Sequence, residues 1–131
     1  MRVSGKLVKK MVEHAREKAE EEEVCGIILG KNNRALMVMR ATNTSENPEY
    51  IYSMSARDII RASDTAEELG YEVIGFYHSH PCGSPVPSGI DVARATWDGA
   101  YYIILNLKGN IKAWRWQENK KRFSEEKLII E

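Results

Sequence analysis

The run His78-Ser79-His80-Pro81 constrains the fold of this chain more than any other feature of its sequence. In an extended strand, residues i and i+2 point to the same side, so the two histidine rings would project in parallel, about 6 to 7 Å apart. Pro81 has no backbone N–H and ends the strand. The prolines at 85 and 87 turn the loop 82–87 back toward the histidines. The run therefore predicts a strand end whose two imidazoles can reach one zinc ion.

The segment after this loop supplies a third candidate ligand. Ser88-Gly89-Ile90-Asp91 has the spacing of a capping box, in which Ser88 begins a helix and Asp91 lies in its first turn. A purely structural role as a helix start explains this pattern equally well. The two interpretations are compatible, because packing restricts the rotamer of an acid in a first helical turn. His78, His80 and Asp91 would give the three protein ligands of a catalytic zinc site.

The length and charge of the chain exclude several classes of protein. Its 131 residues suit one domain, 1–131, and are too few for a (β/α)₈ barrel, which takes about 250. A formal net charge of +0 disfavours a nucleic-acid enzyme. Residues 1–23 lack the apolar segment of a signal peptide, and no run approaches the roughly 18 apolar residues of a membrane span. We expect a soluble, cytoplasmic protein without nucleic-acid or membrane partners.

Hydrophobic periodicity and turn residues predict the order of elements. Apolar residues at helical spacing predict helices over 4–21, 55–69 and 88–98. Apolar runs between turn residues predict strands over 24–29, 35–42, 50–54, 71–77, 101–107 and 111–116. The run 128–130 fits either an edge strand or a docked tail. The inner stripe of the second helix is predicted to comprise Ile59, Ile60, Ala62, Ala66 and Leu69. This order favours an α/β domain with a mixed sheet flanked by helices.

Five further residues carry expectations about packing and surface. Cys25 and Cys82 do not make a disulfide framework, and we expect free thiols. His14 falls on the first predicted helix, where we expect it at the surface. Trp114 and Trp116 share one face of a predicted strand, either as a contact patch or, in the commoner use, as a surface that packs against a helix.

A zinc hydrolase also needs a base, and the sequence offers Glu23. This residue lies where an acidic run, 20–23, passes into the first predicted strand. Gly26 follows in that strand and would permit a close approach of another backbone. Taken alone, Glu23 is better explained as one more solvated acid of the run. Its combination with the histidine pair is what favours a catalytic role.

These residues together match a known signature. A Glu ahead of a strand, then His-Ser-His-Pro, six residues, Ser, two residues and Asp is the pattern of the JAMM (MPN+) metalloprotease domain, which this chain resembles without departure in spacing or identity. The predicted element order extends the resemblance over nearly the whole chain. It implies the family's cytidine-deaminase-like α/β fold, a curved mixed β-sheet flanked by helices. Glu23 matches the family's acid best, three residues before the strand glycine Gly26, with Glu22 as the fallback.

The resemblance also implies a role for each residue. It makes His78, His80 and Asp91 the ligands of one Zn²⁺ per chain, Glu23 the general acid/base, and Ser88 the stabiliser of the oxyanion. It implies substrates that are ubiquitin-like or sulfur-carrier proteins ending in Gly-Gly, or their conjugates, cut after the last glycine. Long insertions of eukaryotic relatives are lacking, which favours a compact prokaryotic or archaeal enzyme.

Several alternatives make different demands on the sequence. A zinc deaminase would need His-x-Glu and Pro-Cys-x-x-Cys, but Ser79 after His78 is followed by His80 instead of glutamate, and position 85 is proline. A nucleophilic Cys82 has no evident Asn or Asp partner. A catalytically silent, partner-binding scaffold of the same fold would lack the metal ligands, which this sequence has. A small-molecule zinc amidase or a DNA-associated relative stays open, and activity on a folded conjugate would set the amidase aside.

Overall fold

The computed structural model describes residues 1–18, 21–49 and 52–131. In these ranges the chain forms three α-helices and one sheet of eight strands. The helices are α1 (Gly5–Lys18), α2 (Ala56–Leu69) and α3 (Gly89–Arg94). The strands are β1 (Arg2–Val3), β2 (Cys25–Lys31), β3 (Arg34–Ala41), β4 (Glu72–His80), β5 (Tyr101–Asn106), β6 (Ile111–Gln117), β7 (Arg122–Glu126) and β8 (Ile129–Ile130).

The sheet is mixed, as the sequence predicted, and its order is β7-β6-β5-β4-β2-β3-β1-β8. The pairs β4–β5, β1–β3 and β1–β8 are parallel, and the other neighbours are antiparallel. Strand β4, which ends in the histidine pair, lies in the middle of the sheet between β2 and β5. A central strand with hydrogen bonds on both edges is a rigid support for a ligand pair.

Two apolar clusters cover the two faces of the sheet, and each contains one of the long helices. The first joins α1 to one face through residues that include Met11, Ala15, Ile28, Tyr77 and Ile103. The second joins α2 to the opposite face through residues that include Ala62, Ala66, Ile27, Phe76 and Tyr102. Because side chains alternate along a strand, positions 76, 78 and 80 of β4 point to the α2 face, and positions 77 and 79 point to the α1 face.

Helices α1 and α2 begin at serine caps, which are the first residues of the predicted helical ranges. The Oγ of Ser4 accepts a hydrogen bond of 3.2 Å from the Leu7 amide, and the Oγ of Ser55 accepts one of 3.3 Å from the Asp58 amide. Gly70 ends α2 in the left-handed region, with φ 71°. These side chains satisfy amide groups that have no partner within the helix, and they fix where α1 and α2 begin.

The predicted inner stripe of α2 was wrong at two positions. Ala62 and Ala66 are buried, but Ile60 is 59% exposed and Leu69 is 47% exposed. Ala62 and Ala66 lie four residues apart and define the buried face, and Ile60 is two residues from Ala62 and so points away from it. Leu69 is the last residue of the helix. The helix therefore contacts the sheet through the small side chains of Ala62 and Ala66 and through the partly buried Ile59.

The prediction that His14 lies at the surface was also wrong. The side chain is 6% exposed, and its Nδ1 shares a hydrogen bond of 2.7 Å with the Tyr77 hydroxyl. His14 occupies the same face of α1 as Met11 and Ala15, both of which are buried. The polar pair is therefore part of the core under the α1 face of the sheet.

Several element bounds differ from the predictions. Helix α3 ends at Arg94 instead of near residue 98, and β4 runs on through both histidines. Of the predicted strand 50–54, Tyr50 and Ile51 lie outside the described residues, and Met54 makes an isolated bridge to Asn43. The predicted helix over 4–21 includes Ala19 and Glu20, and these two residues also lie outside the described residues.

The remaining strand predictions concern the ends of the sheet. Of the run 128–130, Ile129 and Ile130 form the edge strand β8, one of the two predicted possibilities. Strand β8 pairs with β1, and the periodicity did not predict β1. Strand β7 was also missed, because its sequence Arg-Phe-Ser-Glu-Glu has one apolar residue. Both cysteines are free, as predicted. None of the helices in the described part of the chain is long and apolar enough to cross a membrane.

Candidate metal centre and active site

The two histidines reach one site because β4 stays extended up to His80. Cys25 of β2 pairs with His78, and Asn106 of β5 pairs with His80, so hydrogen-bonded neighbours fix the strand end from both sides. Both imidazoles project from the α2 face of the sheet. The side chain of His78 is 1% exposed and that of His80 is 11% exposed. The two histidines are therefore largely buried, and solvent reaches mainly His80.

Asp91 joins this pair from the first turn of α3. Ser88 and Asp91 form a complete capping box: the Asp91 amide donates to Ser88 Oγ (3.1 Å), and the Ser88 amide donates to Asp91 Oδ2 (2.8 Å). The same carboxylate also contacts both histidine rings. The segment therefore begins the helix, as predicted, and it also holds the Asp91 carboxylate against the two histidines.

The distances among these three side chains match the spacing of ligands around one zinc ion. His78 Nε2 lies 3.2 Å from His80 Nε2 and 3.2 Å from Asp91 Oδ1, and His80 Nε2 lies 3.0 Å from Asp91 Oδ2. Tetrahedral bonds of about 2.0 to 2.1 Å place neighbouring ligand atoms about 3.3 Å apart. The two imidazole nitrogens and the two oxygens of the Asp91 carboxylate therefore lie close enough together to share one small cation.

Glu23 enters the site from the residue pair that precedes β2. Its amide donates to the Pro48 carbonyl (2.6 Å), and its carbonyl accepts from Asn43 Nδ2 (2.8 Å). The next amide, that of Val24, donates to Ser79 Oγ at 2.9 Å. These bonds tie Glu23 to a loop on one side and to β4 on the other, so its backbone position is fixed relative to the histidines.

The Glu23 carboxylate completes a group of four possible metal ligands. One atom each from Glu23, His78, His80 and Asp91 lies within 4.8 Å of every other. Glu23 is 5% exposed, and among the described residues its buried Oε1 has no hydrogen-bond partner. Two imidazoles with carboxylates suit Zn²⁺, whereas Ca²⁺ and Mg²⁺ prefer oxygen ligands alone. The donor set fits one Zn²⁺ ion, as predicted from the sequence.

Burial and neighbouring charges shift the titration of these groups in opposite directions. Burial raises the pKa of Glu23 to about 8, the charge of His80 opposes this shift, and the charge of Asp91 adds to it. Burial disfavours the charged form of Asp91 as well, but hydrogen bonds from His78 and His80 outweigh it and hold its pKa well below the ordinary value. The site thus contains one carboxylate that stays ionised and one that exchanges a proton near neutral pH.

Two supporting residues were not assigned roles from the sequence. The ring of Tyr52 stacks on His78 with centroids 4.5 Å apart and planes at 28°. Ser79 points to the opposite face of the sheet, where it accepts the Val24 amide described above. The alternation of β4 could have placed Ser79 on that face, whereas nothing in the polar stretch around Tyr52 predicts a stacking partner.

A cavity of about 170 Å³ opens beside the ligand group on the α2 face. Its wall includes His78 and Asp91 from the site and, farther away, the aromatic side chains of Phe76, Trp97 and Tyr102. The site is therefore continuous with a partly apolar space that can receive a piece of substrate.

The family of the chain follows from its sequence match. Residues 4–117 match the family described as prokaryotic homologs of the JAB domain. The chain belongs to this family. The matched range contains the whole candidate site, from Glu23 to Asp91, and it confirms the JAMM (MPN+) resemblance found in the sequence.

Curated relatives in this family come from archaea and bacteria. A desampylase of Pyrococcus furiosus is 37% identical over 109 residues, which are 83% of this chain and 76% of that protein. A CysO-cysteine peptidase of Mycobacterium tuberculosis is 27% identical over 81% of this chain and 73% of that protein. A probable TtuB-protein conjugate cleaving protease of Thermus thermophilus is 30% identical over 50% of this chain and 45% of that protein.

Solved structures confirm the fold. A protein of Desulfitobacterium hafniense superposes with a TM-score of 0.87 at 25% identity, covering 99% of this chain and 92% of that one. A JAB1/MPN domain protein of Archaeoglobus fulgidus superposes with a TM-score of 0.64 at 22% identity, covering 100% of this chain and 96% of that one. The predicted α/β fold with a mixed, curved sheet between helices is therefore correct.

Proposed function

We propose that this protein is a zinc-dependent peptidase or isopeptidase that cleaves ubiquitin-like or sulfur-carrier proteins from their conjugates, after a C-terminal Gly-Gly. One observation carries the proposal: three metal-ligating side chains converge at tetrahedral spacing beside a buried carboxylate oxygen without a hydrogen-bond partner among the described residues. A structural metal site would use all of its donors as ligands, whereas a hydrolytic site keeps a base beside the ion.

The similarity to named enzymes supports the class of substrate. The desampylase is 37% identical over 83% of this chain, and the CysO-cysteine peptidase is 27% identical over 81% of it. The Thermus relative is named for cleaving TtuB-protein conjugates. Cleavage of conjugates of small ubiquitin-like or sulfur-carrier proteins is the activity that these names share, and it is the activity we assign to this chain.

The residues of the chain divide the chemistry among them. His78, His80 and Asp91 would hold the metal ion. When bound, zinc would supply a Lewis acid that lowers the pKa of water to about 7 and stabilises negative charge on a carbonyl oxygen. Its positive charge would also lower the pKa of Glu23, which burial raises. Glu23 accepts a proton from water and then delivers it to the leaving amine.

We assign the stabilisation of the oxyanion to Ser88, the role that the family resemblance implies. Its Oγ accepts the Asp91 amide hydrogen at 3.1 Å, so its own hydroxyl hydrogen remains for donation. Because the hydroxyl is held by the capping box, it need not reorganise when the negative charge develops. The aromatic cavity beside the site would bind substrate residues near the cleaved bond, and the absence of β-carbons in Gly-Gly lets such a tail lie close to the sheet.

The test compares two neighbouring acids, Glu23 and Glu22. Glu23→Gln keeps the shape of the side chain and removes its proton transfer, so we expect cleavage of a ubiquitin-like protein fused through Gly-Gly to a reporter to fall at least about 100-fold. Zinc content measured after purification should stay near one ion per chain. Glu22→Gln is the matched control, and it should cleave like the wild type.

The outcomes separate the proposal from its alternatives. Equal cleavage by Glu23→Gln and wild type would remove Glu23 from the mechanism, and loss of cleavage in Glu22→Gln alone would move the role to that residue. A zinc-loaded wild type that cleaves neither peptide- nor isopeptide-linked fusions would favour a partner-binding scaffold. Cleavage of short amides without cleavage of fusions would indicate a small-molecule amidase.

A further inference from the structure

The loop 82–87 links β4 to α3. Side chains of the sheet hold this loop in place by hydrogen bonds to its backbone. Three successive backbone carbonyls of this loop each receive a hydrogen bond from a different strand. The pairs are Asn106 Nδ2 to Gly83 O (3.1 Å), His80 Nδ1 to Ser84 O (2.9 Å) and Trp114 Nε1 to Pro85 O (3.0 Å). These donors belong to β5, β4 and β6, so the loop lies across three neighbouring strands.

The three donors share one face because of the strand register. His80 pairs with Asn106 across β4 and β5, and Trp114 pairs with Tyr102 across β5 and β6. Directly paired residues point to the same side of a sheet, so all three side chains project from the α2 face, where the metal site lies. The register thus places a row of hydrogen-bond donors under the loop.

The two donors outside the metal site are themselves fixed. Asn106 is 5% exposed, and its Oδ1 accepts the amides of Lys108 and Asn110, which closes the turn between β5 and β6. Trp114 packs against the apolar cluster of the α2 face. The two anchors therefore belong to the rigid part of the molecule, and the loop is attached to them.

The Ser84 carbonyl determines how His80 faces the metal site. Because Nδ1 of His80 donates to this carbonyl, the lone pair of Nε2 points toward His78 and Asp91. A hydrogen bond to the second ring nitrogen sets the tautomer and orientation of a metal-ligating histidine. Ser84 lies between the two anchored carbonyls, and so its position depends on them.

We propose that Trp114 is a positioning residue for the metal site, and that the loop 82–87 is a fixed wall of that site instead of a lid. The indole N–H holds the Pro85 carbonyl, this contact places the Ser84 carbonyl, and the Ser84 carbonyl orients His80. The inference rests on the proposed function only in taking His80 as a zinc ligand. Trp114 and Trp116 both belong to the apolar cluster of the α2 face, and Trp114 has this second contact in addition.

The two tryptophans of β6 provide a matched pair of variants. Trp114→Phe removes the N–H donor to the loop and retains an aromatic ring. Trp116→Phe removes an N–H that bonds Glu118 Oε2 (2.6 Å) instead, and it alters a side chain that is 1% exposed. Zinc affinity is measured on the full chain by competition with a chelator, ligand geometry by the absorption spectrum of the Co²⁺-substituted protein, and stability by thermal unfolding of the metal-free protein.

We expect the two variants to separate metal binding from stability. Trp114→Phe should weaken zinc binding about 10-fold, the lower end of the range for losing a contact behind a ligand. It should also shift the Co²⁺ absorption bands, with a small change in unfolding temperature. Trp116→Phe should lower the unfolding temperature more and leave zinc affinity and the Co²⁺ spectrum like those of the wild type.

Two results would overturn the inference. Trp114→Phe could bind zinc with the affinity and Co²⁺ spectrum of the wild type, or both variants could weaken zinc binding in proportion to their loss of stability. His80→Ala distinguishes these results from a failure of the proposed function. If His80→Ala binds zinc as well as the wild type, the ligand assignment itself is wrong; if it loses zinc and Trp114→Phe does not, the positioning role alone is wrong.

Discussion

The two faces of β4 bury polar side chains in contrasting ways. On the α1 face, Tyr77 and His14 form a closed pair in which the hydroxyl and the imidazole satisfy each other at 2.7 Å. On the α2 face, the imidazoles of His78 and His80 converge with acids at distances that suit a cation, and Glu23 Oε1 has no hydrogen-bond partner among the described residues. One strand therefore supports a structural polar contact and a binding site back to back.

The difference between the faces lies in hydrogen-bond satisfaction and charge, since both faces bury a histidine. A buried polar group without a partner costs about 1 to 3 kcal/mol of folding free energy, so it is retained where a ligand or a reaction uses it. Burial lowers the pKa of His14 to about 4, with Arg40 adding to that shift, and this histidine is neutral at pH 7. The satisfied pair stabilises the fold, and the unsatisfied group is available for metal and substrate.

The largest effect should come from removing a histidine on each face in turn. His78→Ala deletes a ligand, and we expect zinc content to fall close to zero and Gly-Gly fusion cleavage to disappear, a greater loss than the 10- to 100-fold typical of contacts behind a ligand. His14→Ala should retain zinc and lose about 1 to 3 kcal/mol of unfolding free energy, because the Tyr77 hydroxyl loses its partner. Zinc analysis and urea unfolding of both variants check this.

Circular dichroism confirms that each variant is folded before metal is measured. If His14→Ala loses zinc while remaining folded, the two faces are coupled and the contrast between them fails. If His78→Ala retains a full zinc ion, the metal lies elsewhere.

A second effect concerns the contact between Gly26 and the Tyr77 ring on the α1 face. A Cβ at this position would lie 2.1 Å from Cε1 of the Tyr77 ring, which is buried and held by His14. Because that ring cannot move away freely, Gly26→Ala should cost on the order of 3 kcal/mol of unfolding free energy. Gly89→Ala, where no atom lies within 4 Å of the new Cβ, is the control and should be nearly neutral. Equal unfolding midpoints for the two variants would show that the Tyr77 ring adapts.

Local patterns in the sequence were sufficient to predict that His78, His80 and Asp91 lie together. The two-residue spacing of His78 and His80 and the three-residue spacing of Ser88 and Asp91 are local periodicities, and local periodicity places side chains on strands and helices directly. Glu23 needed the family signature, because its approach to the histidines depends on the pairing of β2 with β4, which no local pattern reveals.

The other face could not be predicted for a related reason. His14 is a polar residue, so its sequence context does not predict burial. Its burial depends on Tyr77, a residue 63 positions away. The anchors of the loop 82–87 also come from distant strands, β5 and β6, whose register fixes them. Strand β7, with one apolar residue, becomes a strand because β6 offers it an edge. Contacts with another element, which the local periodicity of the sequence does not show, decided each of these features.

The smallest expected effect is a pH dependence that belongs to the α1 face. The folded pKa of His14 is about 4, below the ordinary value of 6.5, because burial and the charges of Arg40 and Lys18 outweigh the opposing charge of Glu17. Between these two values the unfolded chain binds more protons than the folded one, so stability rises with pH. This contribution is complete above about pH 6.5 and is lost as the pH falls toward 4. Screening limits it to roughly 1 to 2 kcal/mol.

The variant His14→Gln isolates this contribution. Glutamine can hydrogen-bond Tyr77 and does not titrate, so the difference in unfolding free energy between wild type and variant, measured by urea titration of the metal-free proteins, should change with pH only in that window. The direction of the change carries the argument: the wild type must lose stability relative to His14→Gln as the solution is acidified. A constant difference would mean that His14 has the same pKa in the folded and the unfolded protein, and burial on the α1 face would then not disfavour its charged form.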